Sequence, residues 1–382
     1  MAETETQAAA ARTISNRLVS LDAFRGATMA LMVLVNTPGD GANVYAPLRH
    51  KVWNGWTITD VVFPSFLWIV GVAITLALRS RLERGVKRSV LIWQIVRRSA
   101  VIFALGLLIY LFPYFEFSTM RICGVLQRIA VCYLLASLIY LWTPRLRSLV
   151  IWIVGLLAAY WMLMTLVPVP GFGAGRLDVE GNLAHYVDRI VFGVHNYAWT
   201  KTWDPEGLVS TLPAIATALF GVAAGEFLRR PLALTGRLTQ MFVAGNALLA
   251  LGLICDIWLP INKSIWTSSF AIFMAGLDFV LLSIFIYFVD HLGYKRWCRP
   301  FVILGMNAIT VYMISELLPG VFDAVRWNTG QGVITLQTWL YKTCFAPLAA
   351  PINASLIYAV TYTLLMFLCA WLLYRKGWFL RV

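Results

Sequence analysis

Long apolar runs recur along this chain, each bounded by charged or turn-forming residues. An apolar stretch of about 20 residues spans a bilayer when it forms a helix. Hydrophobic residues make up 60% of the 382 residues and charged residues only 13%, against roughly 25% charged in a typical soluble domain. These features exclude a soluble globular enzyme, a disordered chain and a secreted disulfide scaffold. They predict an all-α polytopic membrane protein of about ten transmembrane helices, over residues 22–37, 60–78, 97–113, 122–142, 148–167, 209–228, 239–258, 267–289, 301–318 and 353–374.

The loops between these runs alternate in charge. Roughly two-thirds of the 31 lysines and arginines fall in every second loop, as is typical of cytoplasmic loops. We therefore expect both termini in the cytoplasm, residues 1–16 as a disordered cytoplasmic tail, residues 17–382 as one transmembrane domain, and residues 168–208 as a long periplasmic loop. The net charge of +13 has the same origin, so no nucleic-acid partner is expected. The six cysteines are scattered and show no CxxC spacing, so we expect neither a disulfide framework nor a metal.

His50 is the histidine most suited to chemistry. It follows the first span and precedes Thr57 and Asp60, whose capping-box spacing predicts a defined helix start. A histidine fixed at a membrane–water boundary can act as a general base near neutral pH. The alternative is an interfacial histidine without chemistry. Asn36, at the end of the first span, either caps that helix or orients a reactive group.

Ionisable side chains also fall inside the predicted spans. Arg128, next to Gln127, would lie about 10 Å below the start of the fourth span, where an arginine requires a partner or a wet cavity. Asp278 lies within the eighth span and Asp256 near the outer end of its span. Each is expected to pair with a basic residue, and Asp278 with Arg128 is one such pairing. A structural pair and a functional pair are both compatible with the sequence.

Polar and aromatic residues gather on the predicted outer side. The sequence Asp204-Pro205-Glu206-Gly207 reads as a helix start, with Asp204 as N-cap, and it places carboxylates where an amine or sugar hydroxyl can bind. Asn262 and Lys263 form a short polar turn. The tryptophans on this side, among them Trp203, suit either an interfacial belt or stacking against a sugar.

The basic stretch 79–98 faces the predicted cytoplasm, with Arg25 at the inner end of the first span. Either these basic residues only set the orientation of the protein in the membrane, or they form a docking face for a polyanionic ligand such as a nucleotide cofactor. No P-loop, GxGxxG–acid pattern, GxSxG or HExxH occurs in the sequence, so ATP hydrolysis, nicotinamide chemistry and the corresponding hydrolases lack support.

Six segments, in order, resemble the heparan-α-glucosaminide N-acetyltransferase family of transmembrane acetyltransferases. They are residues 17–36, 49–74, 121–133, 204–215, 258–269 and 303–312. The resemblance implies transfer of acetyl from cytosolic acetyl-CoA to the amino group of a glucosamine residue on the opposite face. It also implies a bacterial cytoplasmic (inner) membrane location, an amino-sugar or glycan acceptor, and a homodimer. Animal members have a lumenal domain and a first span that find no counterpart here.

The family motifs fall on specific residues. The resemblance implies that His50 is catalytic, as general base or transient acetyl carrier, with Asn36 donating to the thioester oxyanion. Acetyl-CoA is expected near the basic loops and the Gln-Arg pair, and the acceptor near the outer motifs. The expected donor site comprises Arg25, Arg97, Arg98, Gln127 and Arg128, and the acceptor site Trp203, Asp204, Glu206, Asn262 and Lys263.

Two other functions fit the same features. One keeps the fold and makes the protein an O-acyltransferase for an exported glycan. The other is a non-enzymatic transporter of a sugar or organic anion, with Arg128 and Asp278 as its midplane site.

Overall fold

The computed structural model describes residues 18–330 and 332–380, so the predicted tail at residues 1–16 lies outside the described residues. In the described ranges the chain is helical apart from one antiparallel hairpin, which confirms the predicted all-α class. The helices are α1 (Val19–Asn36), α2 (Ile58–Glu83), α3 (Arg88–Leu111), α4 (Val125–Trp142), α5 (Leu146–Leu166), α6 (Leu183–Phe192), α7 (Thr211–Leu228), α8 (Leu234–Asp256), α9 (Ser268–Ile286), α10 (Arg299–Met306), α11 (Ala308–Ala324), α12 (Leu336–Leu340) and α13 (Pro351–Arg375), and the strands are β1 (Arg326–Asn328) and β2 (Val333–Thr335).

Nine helices of the described chain are long and apolar enough to cross a membrane, and α10 with α11 makes a tenth candidate span. This agrees with the predicted number. The span predicted over 301–318 is bent, because α10 and α11 meet at an angle of 79°. The break falls at Asn307, whose backbone is not helical (φ −120°, ψ 30°). Asparagine is a weak helix former, which favours a break at this position.

The basic stretch 79–98, expected as a loop, is mostly helical. Helix α2 continues to Glu83 and α3 begins at Arg88, so only residues 84–87 separate them. Arginine and lysine are good helix formers, and nothing in their charge ends a helix that leaves the apolar layer. Arg97 and Arg98 consequently lie well inside α3 and not in a flexible loop.

Glycines bring two helix pairs into backbone contact. An added Cβ at Gly71 of α2 would lie 1.9 Å from the Ala218 carbonyl oxygen of α7, and one at Gly221 would lie 1.9 Å from that of Trp68. Gly26 of α1 and Gly305 of α10 approach each other's helix as closely. Small residues at helix crossings let backbones touch inside a membrane, so these two pairs form fixed contacts.

The helices alternate in direction, which gives the bundle two distinct ends. We call the end that carries residues 84–87 and the start of α10 the basic end. The opposite end carries the connections 37–57, 167–210 and 257–267, and we call it the loop end.

Candidate active site

Three connections of the loop end are tied to one another. Gly55 N–H donates to the Ile261 carbonyl at 2.7 Å, and Asn262 Nδ2 donates to Asn54 Oδ1 at 3.1 Å. Trp53 Nε1 donates to the Leu177 carbonyl at 3.1 Å. Segments far apart in sequence therefore meet as one surface around residues 50–57.

His50, Asp60 and Lys263 form a compact polar triad on this surface. His50 Nδ1 lies 2.7 Å from Asp60 Oδ1, and Lys263 Nζ lies 3.0 Å from the same nitrogen and 3.4 Å from Asp60 Oδ1. The His50 side chain is 54% exposed, whereas that of Asp60 is 1% exposed. An exposed histidine is thus held in place by a buried carboxylate.

Asp60 is held by the start of α2. Its Oδ2 accepts hydrogen bonds from the backbone N–H groups of Thr57 and Lys51, each at 3.0 Å, and from the Thr57 hydroxyl at 3.1 Å. The predicted capping box is present. With Oδ2 committed to the backbone, Oδ1 remains to accept from His50 Nδ1–H. When Nδ1 carries the proton and donates to Asp60 Oδ1, His50 Nε2 is unprotonated and able to act as a base. A charged Lys263, 3.0 Å from the same Nδ1, favours the other tautomer, in which Nδ1 accepts.

Lys263 brings a cation to this triad from the short turn between α8 and α9. Burial lowers the pKa of Lys263, while the negative charges of Asp60 and Glu206 act to raise it. Neighbouring Asn262 is buried, and its side-chain oxygen accepts from Ile265 N–H at 3.2 Å. Asn262 therefore shapes the turn that presents Lys263.

Arg121 organises a second cluster beside the triad. Its Nε and Nη2 donate to the two oxygens of Asp204, at 2.7 and 2.6 Å, and Nη2 also donates to Glu206. Its Nη1 donates to Tyr110 Oη at 3.0 Å. Burial acts to lower the pKa of Arg121, but its hydrogen bonds to Asp204 and the charge of Glu206 raise the pKa overall.

The prediction that Asp204 caps a helix is wrong. Helix α7 begins at Thr211 with Ser210 as its N-cap, and Asp204 to Gly207 form a separate turn in which Glu206 N–H donates to Asp204 Oδ1 at 2.9 Å. The Asp204 carboxylate is taken by Arg121, a partner that local spacing does not reveal. The sequence motif is therefore an ion-pair site and not a helix start.

Asp188 on α6 supports the same turn and was missed by the sequence reasoning. Its carboxylate accepts from Leu208 N–H at 3.0 Å and from Asp204 N–H at 3.4 Å. Burial raises the pKa of Asp188 to about 6. Its only sequence signal is a carboxylate in the predicted 168–208 loop, three residues after His185.

Asp188 makes stability depend on pH. The fold favours its neutral form, so its stabilising contribution is fully present below pH ~4 and is lost as the pH rises through 6, by up to about 1.4 kcal/mol per pH unit. Thermal unfolding in detergent should therefore show that Asp188→Asn gains on the wild type between pH 4.5 and pH 7. The exposed Asp178→Asn serves as control, and a constant difference between wild type and Asp188→Asn across this range would contradict the assignment.

Asn36 is the last residue of α1, and its Nδ2 donates to Glu316 Oε1 of α11 at 3.4 Å. Glu316 also interacts electrostatically with Arg121. Sequence reasoning missed Glu316, although a lone carboxylate in the predicted span 301–318 was a visible signal. Asn36 therefore lies on the Arg121 side of the loop-end surface.

Gln127 and Arg128 are buried in the bundle. Arg128 Nη2 donates to the Gly207 carbonyl at 3.0 Å and to the Ser210 hydroxyl, and its guanidinium stacks over Trp266. The suggested pairing with Asp278 is wrong: Asp278 Oδ1 accepts from Ser65 on α2. Asp256 accepts from Ile261 N–H and likewise fixes a turn. Arg128 thus secures the 204–210 segment against α4.

Trp203 stacks on His185, with ring centroids 3.9 Å apart and an angle of 11° between the planes. Trp53 packs edge-on against both rings. This aromatic cluster joins α6 to the residues that follow His50. Trp203 is only partly buried, so one side of the cluster remains accessible.

A cavity of about 960 Å³ opens between α1, α2, α3, α4 and the α10–α11 break. Its lining along α2 runs from Phe66 to Arg81, about 22 Å at 1.5 Å per residue. The part at the basic end is lined by Arg25, Arg81, Arg97 and Arg98, and the far part by apolar side chains and Tyr312. Gln127 and Arg128 do not line it.

The cavity ends about one helical turn from the loop-end clusters. On α1, Met32 lines the cavity and Asn36 lies four residues further on. On α11, Tyr312 lines the cavity and Glu316 lies four residues further on. Four helical residues rise about 6 Å, so a thin partition separates the far end of the cavity from the polar surface around Asn36 and His50.

Residues 17–256 match the family model described as "Heparan-alpha-glucosaminide N-acetyltransferase, catalytic". The chain belongs to this family. The resemblance predicted from six segments is thereby confirmed. Among relatives in this family, the heparan-alpha-glucosaminide N-acetyltransferase of Mus musculus is 31% identical over 373 residues, covering 83% of this chain and 56% of the relative. That of Homo sapiens is 30% identical over 366 residues, covering 82% and 54%. The chain therefore spans about half the length of these relatives.

Proposed function

We propose that this protein transfers an acetyl group from acetyl-CoA, bound from the basic end, to the amino group of a glucosamine-type sugar at the loop end. The observation that carries this proposal is the cavity with arginines at one end whose far end stops one helical turn from Asn36 and Glu316 on the loop-end surface. Membership of the N-acetyltransferase family supports the reaction class. By the positive-inside rule, the basic end faces the cytosol, and the family resemblance implies that the membrane is a bacterial inner membrane.

The cavity suits acetyl-CoA chemically. Its phosphates match a mouth with Arg25, Arg97 and Arg98, because guanidinium groups bind phosphate with strong charge-assisted hydrogen bonds. The far part is lined by apolar side chains such as Met29, Met32 and Phe66, which suits the thin pantetheine arm. Acetyl-CoA bound this way carries its thioester to the partition and leaves its nucleotide at the basic end.

The loop-end groups then act on the acceptor. With Nδ1–H donated to Asp60, His50 Nε2 is free to remove a proton from the sugar amine, which attacks the thioester carbon as the carbon–sulfur bond breaks. The Asn36 amide stabilises the oxyanion. The same Nε2 can accept the acetyl group first and pass it on. Glu206, Lys263 and the Trp203 cluster orient the sugar, while Asp204 and Asn262 hold the segments that carry them. A homodimer remains a prediction.

The direct experiment measures CoA thiol release by the detergent-purified protein, given acetyl-CoA and a panel of glucosamine-containing acceptors. Acceptor-dependent release and an acetamido product support the proposal. An O-acetylated product instead indicates the glycan O-acyltransferase. Absence of both acetyl-CoA binding and turnover excludes the enzyme and directs attention to sugar flux in proteoliposomes.

The arginine-lined mouth gives a separate prediction. Arg97→Ala should weaken CoA binding about tenfold or more, because a charge-assisted hydrogen bond contributes roughly 1.5–3 kcal/mol. Calorimetric titration with CoA measures this, and acetyl-pantetheine, which lacks the phosphates, should bind both proteins alike. Arg84→Ala is the matched control, since Arg84 donates to the Ser80 carbonyl and lies outside the cavity lining. Equal CoA affinity in Arg97→Ala and wild type would contradict this placement of the phosphates.

A further inference from the structure

Tyr312 lies where the cavity meets the partition. It is 6% exposed and lines the cavity from the first turn of α11. Side chains on a helix lean toward its N-terminus, which here is the α10–α11 break beside the cavity. Tyr312 therefore presents its ring toward the space from which the pantetheine arm approaches.

Among the described residues, the Tyr312 hydroxyl has no hydrogen-bond partner. Other buried tyrosines do: Tyr160 donates to the Ile265 carbonyl at 2.6 Å and Tyr362 to the Ser315 carbonyl at 3.0 Å. A buried tyrosine hydroxyl usually finds a partner. At Tyr312 the hydroxyl is left available to whatever occupies the cavity.

Tyr312 also interacts electrostatically with charged groups across the partition, namely Glu316, Glu206 and Arg121. Glu316 is four residues further along the same face of α11 and bonds to Asn36. Tyr312 thus lies between the cavity and the charged groups of the loop end.

The proposed reaction leaves a proton unaccounted for on the donor side. His50 takes the amine proton at the loop end, whereas the carbon–sulfur bond breaks on the cavity side and leaves a CoA thiolate. A thiolate in an apolar cavity is poorly solvated, so a proton donor beside the sulfur lowers the barrier to its departure.

We infer that Tyr312 is a catalytic residue that donates its hydroxyl proton to the departing CoA sulfur. The inference rests on the proposed acetyl transfer. The nitrogen–carbon bond forms, the carbon–sulfur bond breaks, and a sulfur–hydrogen bond forms with the proton of Tyr312. The tyrosinate regains a proton from water that enters at the basic end, and His50 releases its proton to water at the loop end.

The test is Tyr312→Phe, which keeps the ring and removes only the hydroxyl. We expect kcat for acceptor-dependent CoA release to fall 100-fold or more, as loss of a general acid commonly does. CoA affinity by titration and the thermal midpoint in detergent should stay close to wild type. The matched control is Tyr140→Phe, a buried tyrosine outside the cavity lining whose hydroxyl donates to Glu226 of α7, and its kcat should stay within threefold of wild type.

Two results overturn the inference. One is a Tyr312→Phe kcat within threefold of wild type, and the other is a fall in kcat matched by a loss of CoA binding or of thermal stability, which indicates a structural role. If the wild type itself fails to transfer acetyl to any acceptor, the proposed function fails and not the assignment of Tyr312 alone.

Discussion

Replacing His50 with glutamine is expected to reduce acceptor-dependent CoA release by 100-fold to 10,000-fold, the usual contribution of a general base. CoA affinity should be unchanged, because His50 lies on the loop-end side of the partition and outside the cavity lining. Glutamine retains a side chain that can hydrogen-bond to Asp60 but cannot take a proton near neutral pH. The measurement is kcat with a saturating acceptor, together with CoA binding by titration.

His291→Gln is the control for this experiment, since His291 lies at the basic end against Tyr287. Turnover of His50→Gln within a few-fold of wild type would remove His50 from the mechanism. The wild type incubated with acetyl-CoA alone then separates the two routes. Acetylated His50 in the mass spectrum indicates that His50 accepts the acetyl group first and passes it on. Absence of acetylated His50 together with normal turnover indicates direct transfer.

Replacing Arg121 with alanine is expected to lower the free energy of unfolding by about 3–5 kcal/mol, because removing one partner of a buried ion pair leaves an uncompensated charge. The Arg121 side chain is 11% exposed, and Asp204, its bidentate partner, is fully buried. Thermal unfolding in detergent measures the loss. Activity should fall with it, since the 204–207 turn carries Glu206 beside Lys263.

The exposed pair of Arg176 and Asp178 provides the comparison. Arg176→Ala should leave the thermal midpoint nearly unchanged, because exposed ion pairs contribute little. Adding Asp204→Asn to Arg121→Ala should recover part of the lost stability, since it removes the stranded carboxylate. A midpoint for Arg121→Ala as high as that for Arg176→Ala would show that the cluster does not stabilise the fold.

The spans were predictable because each is set by local composition, and the bilayer accepts few other structures. The break at Asn307 was not, because one weak helix former inside an apolar run does not fix where a helix bends. The extension of α2 and α3 beyond the apolar layer was likewise not predictable from the sequence, because charged residues mark the membrane boundary and not the end of a helix.

The site was predictable in part. His50 and the Thr57–Asp60 capping box lie within ten residues, so their proximity follows from local structure. The contacts of Arg121 with Asp204 and of Asn36 with Glu316 join residues 83 and 280 positions apart. No periodicity in one sequence reports such pairs. For this reason Arg128 was paired with Asp278, although it bonds to Gly207 and Ser210, and Glu316 was overlooked.

The glycine contacts that hold α1 against α10 and α2 against α7 bear on how a membrane protein with such a cavity avoids leaking ions. Transporters that rock between two open states depend on gates, and a gate that fails dissipates ion gradients. Here α1 and α2, which line the cavity, pack backbone to backbone against α10 and α7, and about one helical turn of protein closes the far end of the cavity. Under the proposed reaction only a two-carbon fragment crosses, so activated acyl groups can be exported continuously without any leak of ions, coenzyme or sugar.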